Sequence, residues 1–235
     1  MATEKELNRI AEQTGLSVSE IKAGIAKIQA EQGLAEQGAL AVYKSSIKNL
    51  LGGKVAEVSG RVLWVEGLRN AKLRDREVQV SSAHLFLKED GRYLLRRLSL
   101  WEDNAALSKD LRENQVVSFK AKLMDDGMGV RLIGGEITPT NEVFPSIREL
   151  VSAAGITPMS NIKEHLDGYC FVKGYVGRTF DSTFGKGIEI SDEGGNPVTV
   201  WLEGEPAVSL GSEVVCFGYV NEKDGAVRIR GRIVY

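Results

Sequence analysis

Leu98-Ser99-Leu100-Trp101-Glu102 and Val198-Thr199-Val200-Trp201-Leu202 decide how this 235-residue sequence is read. Each is an apolar–hydroxyl–apolar–Trp run closing a stretch in which apolar and polar residues alternate with period two. That period belongs to half-buried strands, whose successive side chains point to opposite faces. Two copies of one strand ending within a single chain mark an internal repeat.

Working outward from the first copy, strand-like segments fall at about 55–65, 78–88, 92–101, 115–123 and 129–137. Asp103 to Leu111 carries a short helix signal, and Glu89-Asp90-Gly91 and Asp125-Asp126-Gly127 read as hairpin turns. Five strands with a helix between the third and fourth is the order of the OB-fold, a five-stranded Greek-key barrel. Around the second copy the strands fall at about 168–179, 184–191, 196–203, 212–220 and 226–234, with turns at Asp192-Glu193-Gly194-Gly195 and Asn221 to Gly225. Glu203 to Ser212 replaces the inter-strand helix and is too short for more than a turn. The second barrel is therefore a reduced copy of the first.

Residues 1–53 are helical in pattern instead. Thr3 caps a helix from Glu4 to Gln13, and Gly15 breaks it. Ser17 and Glu20 form a capping box opening a helix that stops before Gly33. A third helix runs from about Ala35 to Leu51, and Gly52-Gly53 ends it. The expected fold is mainly β, with two OB-fold five-stranded barrels preceded by a small three-helix module. Its parts are the helical module (1–53), first barrel (54–137), connector (138–167) and second barrel (168–235). In the connector, Ile147 to Ala154 has room for a helical turn or two. The 26 glycines against 5 prolines fit the many tight turns of such a fold.

Composition excludes several classes of function. Apolar residues make up 43% and charged residues 26%, an ordinary globular balance. No apolar run reaches the roughly 18 residues of a membrane span, and the N-terminus has no apolar signal core. Cys170 and Cys216 are too few for a disulfide scaffold and too far apart in sequence for a zinc-ligand pair, so two buried free thiols in the cytoplasm are expected. Strands one and four pair in this fold, which makes the two cysteines candidate neighbours. His84 and His165 supply no zinc-hydrolase motif. There is no phosphate-cradling loop, no nucleophile elbow and no acidic cluster placed for a nuclease metal. The expectation is a binding protein without catalytic residues, metal or cofactor.

The candidate site follows from strand alternation. In the third strand Leu94, Leu98 and Leu100 form the core face, so Arg97, Ser99 and Trp101 face outward. In the second strand Leu85 and Leu87 point in, so His84 and Phe86 point out beside them. Lys120 and Lys122 alternate with Phe119, Ala121 and Leu123. The loop between strands one and two carries Arg69, Lys72, Arg74 and Arg76, and Arg61 lies on the first strand. Over residues 61–97 there are nine basic residues against five acidic ones. Flat rings beside cations suit a single nucleic-acid strand, because a base stacks on any ring and arginine meets phosphate. The second barrel repeats the pattern. Lys173 and Tyr175 alternate with core residues beside Phe171, Trp201 ends its third strand, and Arg228, Arg230 and Arg232 form a ladder on the last strand. It holds seven basic and nine acidic residues, against 15 and 13 in the first. The first barrel is therefore expected to supply most of the affinity.

The sequence resembles the archaeal replication protein A family. Glu57-Val58-Ser59-Gly60-Arg61-Val62 looks like that family's first strand. Leu98 to Ala105 is similar to its third-strand hallmark of an apolar pair, Trp, acidic or polar residues and Ala. The N-terminal block, with Ile10, Thr14-Gly15-Leu16-Ser17, Glu20-Ile21 and Gly38-Ala39-Leu40, looks like a helical module preceding the first barrel in some members. The resemblance implies cytoplasmic binding of single-stranded DNA in replication, repair and recombination, with Trp101 stacked on a base. It also implies contacts with other replication protein A subunits or with replication and repair proteins through the helical module and second barrel. The sequence departs from the family in holding Met124 and Met128 where some relatives place an aromatic, and in lacking any zinc-finger ligand set. Two alternatives remain: a protein-interaction subunit of a replication complex, and RNA or tRNA binding through the same groove.

Overall fold

The computed structural model describes residues 4–14, 16–47, 54–73, 76–123, 129–183, 185–204 and 208–235. The Thr3 cap, the Gly15 break, the third helix's end at Leu51 to Gly53, Arg74, the Asp125-Asp126-Gly127 turn, Met124 and Met128 lie outside them. The chain divides into two compact units, Met1–Phe144 and Pro145–Tyr235.

The first unit begins with α1 (Glu4–Thr14), α2 (Val18–Gln32) and α3 (Glu36–Ser46). The Ser17 capping box forms as expected. The Ser17 hydroxyl accepts from the Glu20 amide at 3.2 Å, and the Glu20 carboxylate accepts from the Ser17 amide at 2.7 Å. The Ser17 hydroxyl, which also donates to the Glu20 carboxylate at 2.7 Å, and then the Ser17 amide hold that carboxyl below its usual range. Gly33 ends α2 in the left-handed conformation, at φ 62°. Leu7, Ile10, Ile21, Ile25, Leu40 and Tyr43 close a core among the three helices.

The barrel that follows contains β1 (Lys54–Val65), β2 (Arg69–Leu73), β3 (Arg76–Glu89), β4 (Arg92–Trp101), β5 (Val116–Leu123) and β6 (Gly129–Pro139). The sheet runs β1-β5-β6-β4-β3-β2, and β1 pairs again with β3 to close the ring. Among the described residues of this sheet, only β4 and β6 pair in parallel. A 3-10 helix, Glu102–Lys109, occupies the expected helix position between β4 and β5. β2 departs from expectation. The arginine-bearing stretch forms a hairpin arm on β3, with Arg69 opposite Val80 and Lys72 opposite Glu77, rather than a loop. Asp90 and Gly91 turn the β3–β4 hairpin with φ of 46° and 78°, the positive pair a two-residue turn requires. Val62, Leu85, Leu98, Leu100, Phe119 and Val130 fill the interior. Leu94, expected in the core, is 38% exposed, because it lies beside the hairpin end.

The second unit opens with α4 (Ile147–Ala154), capped by a Ser146–Glu149 box, and a 3-10 turn, Met159–His165. Its strands are β7 (Tyr169–Ser182), β8 (Gly185–Ser191), β9 (Pro197–Leu202), β10 (Glu213–Lys223) and β11 (Ala226–Ile233). They form a closed barrel ordered β10-β11-β9-β8-β7, with β9 and β11 parallel. Strand for strand this is the connectivity of the first barrel, and both are OB-folds. No helix stands between β9 and β10 among the described residues. Asp224 and Gly225 alone make the last turn, while Asn221 to Lys223 continue the strand. Val172, Ile188, Ile190, Val200 and Ile229 form the core. Cys170 and Cys216 are buried free thiols on adjacent strands, out of register by two residues, opposite Gly218 and Val172. Burial pushes Cys170 up to about 11, against a smaller lowering by the Thr157 hydroxyl, and pushes Cys216 up to about 12. Among the described residues, no helix is long and apolar enough to cross a membrane.

Candidate nucleic-acid interface

Strand alternation placed the outward residues correctly, but the outward face of the first barrel is partly covered. Val80 to Leu87 are all buried, so both faces of β3 are enclosed there. Phe86 and His84, expected in solvent, are fully buried. His84 stacks on Trp64 at 5.0 Å and shares a 2.8 Å hydrogen bond between Nε2 and the Glu66 carboxylate. Arg61, opposite Phe86, donates to the Phe144 carbonyl at 3.3 Å, and Tyr93 packs edge-on against Phe144. The segment after β6 thus lies over this end of the sheet. Lys122 stands on the expected face, opposite Val55 and Arg131, yet it too is fully buried. His84, Phe86 and Lys122 therefore cannot offer a surface to a ligand, and neither can Phe171 (3% exposed) in the second barrel. The period-two pattern reports which face a side chain takes; it does not report what packs on that face.

What stays open on the first barrel is narrower. Trp101 is 46% exposed, and Arg69, Val80 and Trp101 are consecutive partners across β2, β3 and β4, on one face. One rung along, Ser99 faces Ser82, whose hydroxyl accepts from Arg97 Nε at 3.3 Å. Lys72 and Lys120 are exposed, opposite Glu77 and Glu57. Arg76 donates to Glu102 at 2.5 Å. A cavity of about 600 Å³ beside it is lined by one cation, Arg76, and three carboxylates, Glu77, Glu102 and Asp103.

The second barrel carries a larger cavity, of about 790 Å³. Trp201, Arg228 and Arg230, all anticipated, line it with Lys186, Lys223 and Asn221. Its acidic members are Glu203 and Asp224. The ladder register explains the convergence. Tyr219, Arg230, Trp201, Gly187 and Phe180 are successive partners across β10, β11, β9, β8 and β7. This row lies on the outer face, because the intervening Val220, Ile229, Val200 and Ile188 are core. Phe180 packs edge-on against Trp201 at 5.0 Å. Gly187, between them, has no room for a side chain, since a Cβ would stand 2.5 Å from both the Phe180 ring and the Val200 carbonyl. Arg178 sits over the Phe180 ring at 5.8 Å. Arg230 donates to Glu203 at 3.2 Å, and Arg228 approaches Asp224 at 4.0 Å.

Lys173 and Tyr175 are exposed but do not reach this cavity. Lys173 bonds Glu213 at 2.8 Å, which raises its pKa. Tyr219, Phe180 and Lys186 were missed. Phe180 had a signal, since it alternates with Arg178, and the others become legible only once the strand register is known. Among the described residues, no group of three or more His, Cys, Asp or Glu side chains is placed to hold a metal.

No known family profile matches this chain, and no curated protein matches it. It is similar to several solved structures. A replication protein A heterotrimer bound to single-stranded DNA aligns at 15% identity and a TM-score of 0.45, over 75% of this chain and 46% of that one. The Ifi202 HINa domain in complex with 20-bp double-stranded DNA aligns at 14% and 0.44, over 77% and 94%. The second OB-fold domain of replication protein A from Methanococcus maripaludis aligns at 14% and 0.28, over 40% and 89%. The OB-fold assignment rests on strand order and pairing.

Proposed function

We propose that this chain binds single-stranded nucleic acid, DNA foremost, without reading base sequence, and that it does so in replication, repair and recombination. The observation that carries the reading is the Arg230–Trp201 pair that lines the second-barrel cavity, with Tyr219 next to Arg230 in the same row. Neighbouring strands lie about 4.8 Å apart. The two rings therefore stand two strand spacings from one another with a guanidinium between them. In this reading a base stacks on Trp201 and Arg230 meets its phosphate, while Tyr219, held edge-on by Tyr169 and bonded to Asp167, stands at the end of the row. The stacking does not distinguish one base from another, because it uses the π-face common to all four. Trp101 with Arg69 offers a second, smaller platform. The role is one of binding without catalysis, in the cytoplasm. In the same reading the helical module and the second barrel contact other replication protein A subunits or replication and repair proteins.

The test is tryptophan fluorescence of the full chain titrated with a short oligo-dT at several salt concentrations. Binding should quench Trp101 and Trp201, and log K should fall linearly with log salt. Quenching with no salt dependence would remove the phosphate contacts from the reading, and no quenching would remove the stacking.

A further inference from the structure

Each barrel places a carboxylate one or two residues after its matching tryptophan, and each carboxylate holds an arginine of the cavity it lines. Glu102 follows Trp101, accepts from Arg76 at 2.5 Å and lines the first cavity with it. Glu203, two residues after Trp201, accepts from Arg230 at 3.2 Å and lines the second with it. Glu102 also has φ of 55°, a conformation that side chains other than glycine adopt rarely. The backbone is bent there at a local cost, and the bend sets this carboxylate on the cavity.

We propose that Glu102 and Glu203 are built-in competitors, carboxylates occupying the positions at which a nucleic-acid phosphate would meet Arg76 and Arg230, and that they set the affinity and exchange rate of the two grooves. The proposal rests on the single-strand reading above. A carboxylate and a phosphate ask the same thing of a guanidinium, two parallel N–H donors, so the two anions compete for one fork. Both ion pairs are solvent-exposed on the arginine side, at 65% in each case. Exposed pairs of this kind are weak, so a polyanion can displace the carboxylate. The freed carboxylate stays beside the incoming phosphate and repels it. The result is a groove that binds and releases quickly instead of trapping its strand, while the arginine is kept from other anions when the groove is empty. The two arginines come from different elements, the β2–β3 arm and the last strand, so the repeated feature is the carboxylate.

The experiment compares the full-length wild type with Glu203→Gln, Glu102→Gln and a control, Glu31→Gln, for oligo-dT affinity, dissociation rate and salt dependence. Gln keeps the shape and removes the charge. Glu31 lies on α2, pairs with Lys27 at 3.9 Å, and gives the same change in net charge. Glu203→Gln should bind about two- to fivefold tighter, dissociate more slowly, and steepen the salt slope by up to about 0.7, one further phosphate neutralised. Glu102→Gln should move the same way by less, and the control should not move. Unchanged or weaker binding by both variants, with a wild type that binds, overturns the competitor role and leaves the function standing. An equal gain in the control also overturns it, because bulk charge then suffices. No binding by any chain overturns both.

Discussion

The two barrels share a strand order and a tryptophan at the same strand end, yet they surround that tryptophan differently. Trp101 has Val80 and Arg69 along its row and a cavity with one arginine and three carboxylates beside it. Trp201 has Arg230 and Tyr219 on one side, Phe180 braced against it on the other, and a cavity with four cations and two carboxylates. Summed charge ranks the barrels the opposite way, favouring the first. The field a ligand meets is local, and pairing across strands decides which charges share a groove. In the first barrel the outward face has been spent partly on packing, through Trp64, His84 and Phe86. In the second, Phe171 and Phe217 are buried against one another on that face, and the part that remains a surface is the row from Arg230 to Phe180.

The largest effect expected from that difference is on stability. Phe86→Ala removes a fully buried ring from the outer face of the first barrel and should cost about 3–5 kcal/mol in urea unfolding. Phe180→Ala, on the half-buried outer row of the second barrel, should cost clearly less. Equal losses would mean that the outer faces are packed alike, and the comparison would fail.

The second effect is confined to the barrel that holds thiols. Cys170 and Cys216 are raised by burial to about 11 and about 12, from an ordinary value of 9.0. The unfolded chain therefore loses these protons at lower pH than the folded one does. Their contribution is fully present below about pH 9 and is lost as pH rises toward 12, a loss on the order of a few kcal/mol. Urea unfolding followed from pH 8 to 11 should show the second unit weakening with pH. Replacing both residues by Val should remove that dependence. A slope unchanged in the double variant would assign it to other groups.

Much of this fold could be read in the sequence. The ten barrel strands followed from period-two alternation, the repeat from the two Trp runs, and α2 from the Ser17–Glu20 box with Gly33 behind it. The β2 arm was not legible, because Arg69-Asn70-Ala71-Lys72-Leu73 has one apolar face too short to alternate; what makes it a strand is its bonding to β3. Of the candidate site, Trp101, Trp201, Arg228 and Arg230 fell where alternation put them. His84, Phe86 and Lys122 took the expected face too but are buried there, since what packs on a strand's outer face leaves no mark on the strand's own alternation. The row from Tyr219 to Phe180 needed register, which no single strand encodes.

Binding provides the next effects. Trp201→Ala should weaken oligo-dT binding by about 1–3 kcal/mol, the value of one stacked base. Trp101→Ala should weaken it by less, because the neighbouring carboxylates repel the strand that would hold a base there. Fluorescence anisotropy of a labelled oligonucleotide measures both. A larger loss at Trp101 would restore the first barrel as the main site.

The smallest and most diagnostic effect is on the salt slope. Each arginine that neutralises a phosphate of a single strand contributes about 0.7 to the fall of log K with log salt. Arg228 and Arg230 share the second cavity. Changing both to Gln should lower the slope by about 1.4 while leaving Trp201 in place. The same double change at Arg69 and Arg76 should lower it by less. Arg76 faces Glu102 in a cavity that also holds Glu77 and Asp103, so a phosphate there gains little net neutralisation. Affinity at a single salt concentration cannot separate these cases, because a stacking loss and a charge loss both weaken binding. The slope can, since stacking leaves it untouched. Equal slope changes from the two arginine pairs would show that both barrels grip phosphate alike, and the asymmetry would then lie in the aromatic row alone.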